Sequence, residues 1–242
     1  MPIHHPITHP DPNVSVVIPT IPENEYEVPP ALVNQTADKY EVIVVSDASI
    51  NRCEARNRGI KTAEADVIAQ TDDDCRPPVT WIERIANHFD SDPELVLLEG
   101  FLDKLDREPR GYVGANLAYR KESALKIGGF DSALSGWRAD TDFGWRMEDE
   151  YGVEHCQADT MNVIEHIGPL RTTVNRSLER KFRMRHPQKY FSIIFDPDIR
   201  YSYEVGLIIG KIYSVNPRLG EKIIKKRTLI NKLRDENITT NV

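Results

Sequence analysis

Ala65-Asp-Val-Ile-Ala-Gln-Thr-Asp-Asp-Asp74 passes without a break from a short apolar run into three consecutive carboxylates. Residues 66–71 read as a buried strand, because a brief β-branched run bounded by polar residues suits the interior of a sheet. Two runs of the same kind precede it. Val14-Ser-Val-Val-Ile18 is stopped by Pro19, and Glu41-Val-Ile-Val-Val45 closes on Ser46-Asp-Ala-Ser49. Between and after them the apolar period changes to that of a helix: Ala55, Gly59, Ile60 and Ala63 within 52–65, then Trp81, Ile82, Ile85 and Phe89 within 78–89. Short helices are expected at 30–36 and 122–127, and further strands at 95–99 and 112–119. Strands alternating with helices predict an α/β fold, a mixed and mostly parallel sheet flanked by helices. Ligands of such sheets bind outside the carboxyl ends of the strands, beside a topological switch point. Asp47 and Asp72 to Asp74 stand at such ends.

The rest of the chain bounds the possibilities. Its 242 residues include 31 Lys and Arg against 38 Asp and Glu, a formal charge of −7, which argues against general nucleic-acid binding. Three scattered cysteines make neither a disulfide framework nor a four-ligand zinc site, so a cytoplasmic location is expected, if need be at the cytoplasmic face of a membrane. No stretch reaches the roughly 18 apolar residues of a spanning helix. Charge divides the chain: residues 1–170 hold 15 Lys and Arg against 31 acids, whereas residues 171–234 hold 16 against 5. Three parts follow: a flexible N-terminal arm at 1–13 containing His4, His5 and His9, a domain at 14–170, and a basic, mainly helical extension at 171–242.

Three adjacent carboxylates repel one another unless a cation or solvent screens them. Alternate residues of an extended segment point the same way, so Asp72 and Asp74 can share a target while Asp73 faces elsewhere. A hard divalent ion with open positions for phosphate oxygens suits that pattern. A solvated acidic turn, or a cap for the helix that begins near Pro78, accounts for the same residues.

The order of these fragments resembles a known family. Val14-Ser-Val-Val-Ile-Pro-Thr20 is similar to the opening strand of glycosyltransferase family 2, whose nucleotide-sugar-binding fold is called GT-A, and Glu41-Val-Ile-Val-Val-Ser-Asp-Ala-Ser49 to its second strand and nucleotide-binding turn. Ala55-Arg-Asn-Arg-Gly-Ile60 followed by residues 65–74 resembles the helix and strand that lead to the metal motif. Gly128-Gly-Phe-Asp131 followed by Asp140-Thr-Asp-Phe-Gly-Trp-Arg146 resembles the acceptor-side block.

The resemblance implies a hexosyltransferase-type enzyme that is metal-dependent and inverting, with a UDP- or GDP-linked sugar as donor and a glycan or polyprenyl-phosphate-linked acceptor. In it Asp47 would bind the base edge and Arg56 the base or diphosphate. Asp72 would meet ribose or metal, with Pro19 and Asp73 completing the donor-binding set, and Asp74 would hold Mg²⁺ or Mn²⁺. Gly114 and Asn116, in the stretch from Gly111 to Asn116, would let sugar and acceptor approach; an ordinary strand bend explains those glycines equally well.

An inverting transfer needs a carboxylate to take the proton of the attacking hydroxyl. The family uses the Asp of a Glu-Asp pair; here that pair is Ala139-Asp140. Asp140 is therefore the expected base. Asp142 is a second candidate on the acceptor side unless it serves to cap a helix, and the missing Glu leaves open a catalytically silent sugar-nucleotide-binding subunit. His166 follows at the place of a family histidine that touches metal or diphosphate, and Mn²⁺ accepts imidazole well; a structural role is the alternative. Trp137 offers an apolar platform for a sugar ring, and Trp145 fits core packing. A sugar-phosphate nucleotidylyltransferase, the enzymatic rival, would need a Gly-rich basic loop where this chain has Pro19-Thr-Ile-Pro-Glu23. The basic extension is expected either to lie on an anionic membrane as a peripheral contact or to balance the acidic domain.

Overall fold

In the computed structural model, which describes residues 3–105, 109–169, 173–194 and 203–227, the three apolar runs form neighbouring strands of one sheet. These are β2 (Val14–Thr20), β3 (Tyr40–Ser46) and β4 (Val67–Gln70), preceded by β1 (Ile3–Ile7). A short α1 (Pro30–Val33) separates β2 from β3, and α2 (Arg52–Thr62) separates β3 from β4. There follow β5 (Cys75–Arg76), α3 (Trp81–Ser91), β6 (Leu97–Leu102), β7 (Leu117–Arg120), α4 (Lys121–Lys126), α5 (Ala139–Tyr151) and β8 (Cys156–His166). The strand order is β1-β3-β2-β4-β7-β6-β8-β5. β2 runs parallel to both β3 and β4. The chain thus leaves β2 in one direction for β3 and crosses back over it for β4, which creates a switch point at the carboxyl ends of these strands.

The sheet is mixed rather than mostly parallel. β2–β3, β2–β4 and β6–β8 are parallel, whereas β1–β3, β4–β7, β6–β7 and β5–β8 are antiparallel. The reason lies in the connection between β6 and β7. No helix occurs among its described residues, and without a helical crossover the chain returns antiparallel. The strand expected over 112–119 shortens accordingly to β7. Residues 112–116 form a loop, in which Tyr112 has φ 45°.

The first residues also differ from expectation. Instead of a flexible arm, Ile3–Ile7 pairs antiparallel with β3, with Ile3 opposite Val45 and His4 opposite Val44. An unpaired β3 edge would expose a row of N–H and C=O groups, and β1 covers it. Ladder hydrogen bonds hold β1 more than apolar burial does, since its three central residues are exposed; hydropathy therefore carries no trace of it.

Packing explains the helix placement. Gly59 lets α2 lie close on β2: a Cβ there would come within 2.3 Å of Val17 Cγ1. Helix α3 buries Trp81, Ile82, Ile85 and Phe89. Phe130 stacks on Phe143 at 4.2 Å between ring centres, and Tyr119 leans on both, which seats α5.

The chain divides into two compact units, Met1–Val174 and Asn175–Val242. The second contains α6 (Arg176–Arg185), capped by the Asn175 side chain on the Leu178 N–H, then α7 (Pro187–Ile193) and α8 (Tyr203–Val215), with helical turns continuing over 217–227. Its own core holds Phe182, Tyr190, Phe191, Ile209, Tyr213 and Ile224. Arg183 pairs with Glu221 at 2.6 Å, so part of the basic charge is neutralised within the unit. Of the basic extension expected over 171–242, residues 171–172, 195–202 and 228–242 lie outside the described residues.

Candidate active site

Where β2, β3 and β4 end, their last residues meet. The Asp47 N–H donates to the Thr20 carbonyl and the Thr71 N–H to the Val17 carbonyl, so the strand ends stay side by side. Pro19, Thr20, Asp47, Arg52 and Asp73 line a small cleft there. Asp47 is the hub of a tight turn: its carboxylate accepts from the Ser49 hydroxyl (2.5 Å), the Ser49 N–H and the Arg58 guanidinium. These donors, Ser49 first and Arg58 last, hold its pKa below the usual carboxylate value.

The three consecutive aspartates fan out to three different partners. Asp72 accepts from Arg56 at 2.8 Å and lies 3.5 Å from Arg52. Burial alone would raise its pKa, but the Arg56 and Arg52 charges outweigh burial and lower it. Asp73 accepts from the Thr20 hydroxyl (2.5 Å) and the Asn24 amide (2.6 Å), which ties the segment after β2 to the end of β4. Asp74 faces His166, Oδ2 to Nε2 at 3.4 Å.

That last encounter depends on topology. The two-residue strand β5 pairs antiparallel with the end of β8, Cys75 opposite His166. Asp74, Cys75 and His166 therefore bring a carboxylate, a thiol and an imidazole within 4.8 Å of one another. His166 Nδ1 sits 2.9 Å from the Gly168 carbonyl. The tautomer that donates this bond leaves the Nε2 lone pair aimed toward Asp74, the arrangement typical of a metal-ligating histidine. Gly168 permits the approach, since a Cβ there would lie 2.3 Å from Asp74 Oδ2. The donor set suits a divalent ion such as Mn²⁺.

On the other side of Arg56 stands the expected base. The buried Arg56 guanidinium lies against Gly114, where a Cβ would come within 2.4 Å of Nη2. The Gly114 N–H in turn donates to Asp140 Oδ2 at 2.8 Å. A continuous line of contacts runs Asp72–Arg56–Gly114–Asp140. Asp140 is in the first turn of α5 and stays partly accessible. Trp137, just ahead of α5, is half-buried with the Arg138 guanidinium 5.7 Å from its ring centre.

Two acceptor-side expectations fail. Asp142 is fully buried and pairs with Arg146 at 2.8 Å, one helical turn on, so it holds α5 together and faces no acceptor. Asn116 is buried as well. Its amide donates to the Phe101 and Asn162 carbonyls and its oxygen accepts from Trp81 Nε1, so it bolts the sheet to α3. Asn116 is drawn inward by partners that only the folded chain supplies, whereas Asp142 meets its partner within its own helix.

Residues 51–138 match the family described as Glycosyl transferase family 2, a span from the cap of α2 to the residue before α5. In this span the chain is similar to glycosyltransferase family 2. Asp47, Asp140 and His166 lie outside the matched span, and the geometry alone attaches them to it. The chain is 25% identical to a glucosyl-dolichyl phosphate glucuronosyltransferase of Haloferax volcanii, across 49% of this chain and 56% of that protein, so it spans little more than half of this curated relative. Among solved structures it is similar to S. aureus TarS in complex with UDP-GlcNAc, with a TM-score of 0.59 and 12% identity over 84% of this chain and 73% of that one. TarS with UDP matches at 0.58 and 12%, over 93% and 92%. Glucosyl-3-phosphoglycerate synthase from Mycobacterium tuberculosis, in complex with Mn²⁺, UDP-glucose and phosphoglyceric acid, matches at 0.51 and 12%, over 72% and 76%. The fold shared with these structures is GT-A.

Several residues around this cleft escape sequence reading. Arg52 joins Arg56 on Asp72; its place one turn earlier on the same helix face was the available signal. Thr20 and Asn24 hold Asp73 across 53 and 49 residues, and Gln70 Nε2 donates to the Gly114 carbonyl at 2.5 Å across 44. No spacing rule reaches that far.

Proposed function

We propose that the protein is a metal-dependent, inverting glycosyltransferase that moves a sugar from a UDP- or GDP-linked donor to a lipid-linked or glycan acceptor. The line Asp72–Arg56–Gly114–Asp140 is the observation that supports it most, because it joins the donor-side carboxylates to a partly accessible carboxylate at hydrogen-bonding range. Asp47 and Arg58 take the base edge, and Arg52 and Arg56 face the diphosphate. Asp74 and His166 would hold a divalent cation, which would neutralise the departing nucleoside diphosphate. Asp140 takes the proton of the acceptor hydroxyl as its oxygen bonds to the anomeric carbon and the bond to the diphosphate breaks. Attack opposite the leaving group inverts that carbon.

The Haloferax relative acts, by its name, on a sugar carried by dolichyl phosphate. Together with the 16 cations of residues 171–234 this favours a lipid-phosphate-linked acceptor met at a membrane surface. Among the described residues no helix is long and apolar enough to cross a membrane. Flotation with anionic liposomes tests the surface contact; absence of binding at both low and high salt removes it.

Thermal-shift screening of UDP and GDP with Mn²⁺ or Mg²⁺, followed by donor-turnover assays, tests the whole reading, since a ligand of the native state raises the melting point. Metal-dependent stabilisation by one nucleotide and turnover that disappears in Asp140→Asn are expected. No stabilisation by either nucleotide sinks the proposal. Binding without turnover would make the protein a silent sugar-nucleotide-binding subunit, the alternative raised by Ala139.

A further inference from the structure

Two buried glutamates take no part in the chemistry outlined above, yet both grip the same loop. Glu99, on β6, is 1% exposed and accepts two backbone N–H groups, from Arg110 on Oε2 and from Tyr112 on Oε1, each at 2.6 Å. Glu148, on α5, receives both arms of the Arg110 guanidinium at 2.8 Å and the Tyr112 hydroxyl at 2.8 Å. Arg110 and Tyr112 are the two ends of a bend around Gly111, and both have left-handed backbones, φ 70° and 45°. A non-glycine residue rarely adopts that region, and a pair so close together persists only where its surroundings dictate it.

The rest of the bend is fastened to one face of α5. The Thr141 hydroxyl donates to the Gly111 carbonyl at 2.7 Å, Trp145 Nε1 donates to the Arg110 carbonyl at 2.9 Å, and Gly144 leaves room for the Tyr112 ring. Thr141, Gly144, Trp145 and Glu148 follow the i, i+3, i+4, i+7 spacing of a single helical face. Asp140 is in the first turn of the same helix, and it receives the N–H of Gly114 at the end of the same loop. Helix and loop therefore close a ring: α5 shapes the loop, and the loop returns a hydrogen bond to the first carboxylate of α5.

We propose that Glu99 and Glu148 are positioning residues. They force the Arg110–Tyr112 bend and thereby aim the Gly114 N–H at Asp140, which fixes the orientation of the base relative to the donor pocket. The catalytic half of this inference rests on the transferase reading above; the structural half does not. Charge-assisted hydrogen bonds from both glutamates make the bend rigid, and a misplaced base slows chemistry without weakening donor binding.

Two full-length variants test this. Glu99→Gln turns one acceptor oxygen into an amide that meets an N–H head-on. Tyr112→Phe deletes only the hydroxyl donated to Glu148, so it carries the test should Glu99→Gln fail to fold. Amide hydrogen exchange at Gly114, kcat and donor KM for transfer, and calorimetric affinity for the nucleoside diphosphate are read together. At least tenfold faster exchange at Gly114 and a tenfold or greater fall in kcat are expected for Glu99→Gln, with donor KM and nucleotide affinity held within twofold. Tyr112→Phe is expected to move the same quantities less. Unchanged exchange at Gly114 in both variants overturns the clamp. Faster exchange with unchanged kcat, or kcat and donor affinity falling together, overturns its role in positioning the base. If the wild-type protein turns over no donor, the transferase reading fails, and exchange at Gly114 alone then decides the clamp.

Discussion

The three carboxylates after β4 and the two at the start of α5 meet the problem of crowded acids in opposite ways. After β4 the backbone is extended and turning, so successive side chains diverge, and each finds a partner far along the chain: Arg56 and Arg52 for Asp72, Thr20 and Asn24 for Asp73, His166 for Asp74. In α5 two residues of helix rotate the side chain by about 200°. Asp140 consequently stays accessible, while Asp142 enters the core and meets Arg146 one turn later. The first cluster draws its partners from across the sheet. The second divides one helix start between an accessible carboxylate, the proposed base, and a buried one that serves stability.

Four substitutions or conditions would break or sharpen that contrast. Asp140→Asn should reduce kcat by about 10²–10⁴-fold, the usual range for loss of a general base, and leave donor affinity within a few-fold. Steady-state kinetics with calorimetric nucleotide binding checks it, and a fully active variant takes Asp140 out of the mechanism. Asp142→Ala should act in the opposite sense, on stability. It leaves the Arg146 charge without its buried partner, a loss of about 3 kcal/mol, and lowers Tm by roughly 6–12 °C. A Tm within 2 °C of wild type, taking roughly that as measurement scatter for a domain of this size, would show the pair to be dispensable.

Acid should find the cluster after β4 next. The pKa of Asp72 is lowered in the folded protein from the ordinary 3.8, so its contribution to stability is complete above that value and is lost as pH falls through the lower folded value. Urea unfolding below pH 4, carried on toward still lower pH, should show this loss, and Asp72→Asn should flatten it; an unaltered acid limb in the variant assigns the loss elsewhere. Asp73→Asn should do least. It exchanges a charged acceptor for a neutral one opposite Thr20 and Asn24, at about 1 kcal/mol. A calorimetric melt resolves that, and a loss as large as that of Asp142→Ala would mean that the segment after β2 depends on Asp73 far more than two hydrogen bonds allow.

The same contrast explains what could be read in the chain. Strands β2, β3 and β4 were legible because burial on both faces leaves continuous β-branched runs. The helical spacing of residues 52–65 and 78–89 was equally plain, since one face of each helix must be apolar. β1 was not legible, as its ladder to β3 leaves the central residues, His4, His5 and Pro6, exposed. Asn116 looked like a site residue because the stretch from Gly111 to Asn116 resembles the loop at which sugar and acceptor approach; its partners, Trp81 and the Phe101 and Asn162 carbonyls, come from three other elements. Asp142 was ambiguous for a different reason. The i, i+4 spacing to Arg146 was visible, but only burial could decide between a cap, a base and an internal ion pair.

The sequence by itself determined the alternation of β2, β3 and β4 with α2 and α3, the strand ends at which the carboxylates gather, and the split between an acidic and a basic part. Each depends on periods or charges carried by residues close together in the chain. Tertiary structure alone decided that β5 lies on β8 and so brings His166 to Asp74, that Arg56 is pressed between Asp72 and Gly114, and that Glu99 and Glu148 bend the loop that reaches Asp140. Those contacts join residues more than a dozen positions apart, from 13 for Glu99 and Tyr112 to 92 for Asp74 and His166. Their geometry follows from strand order and packing, and no local pattern encodes it.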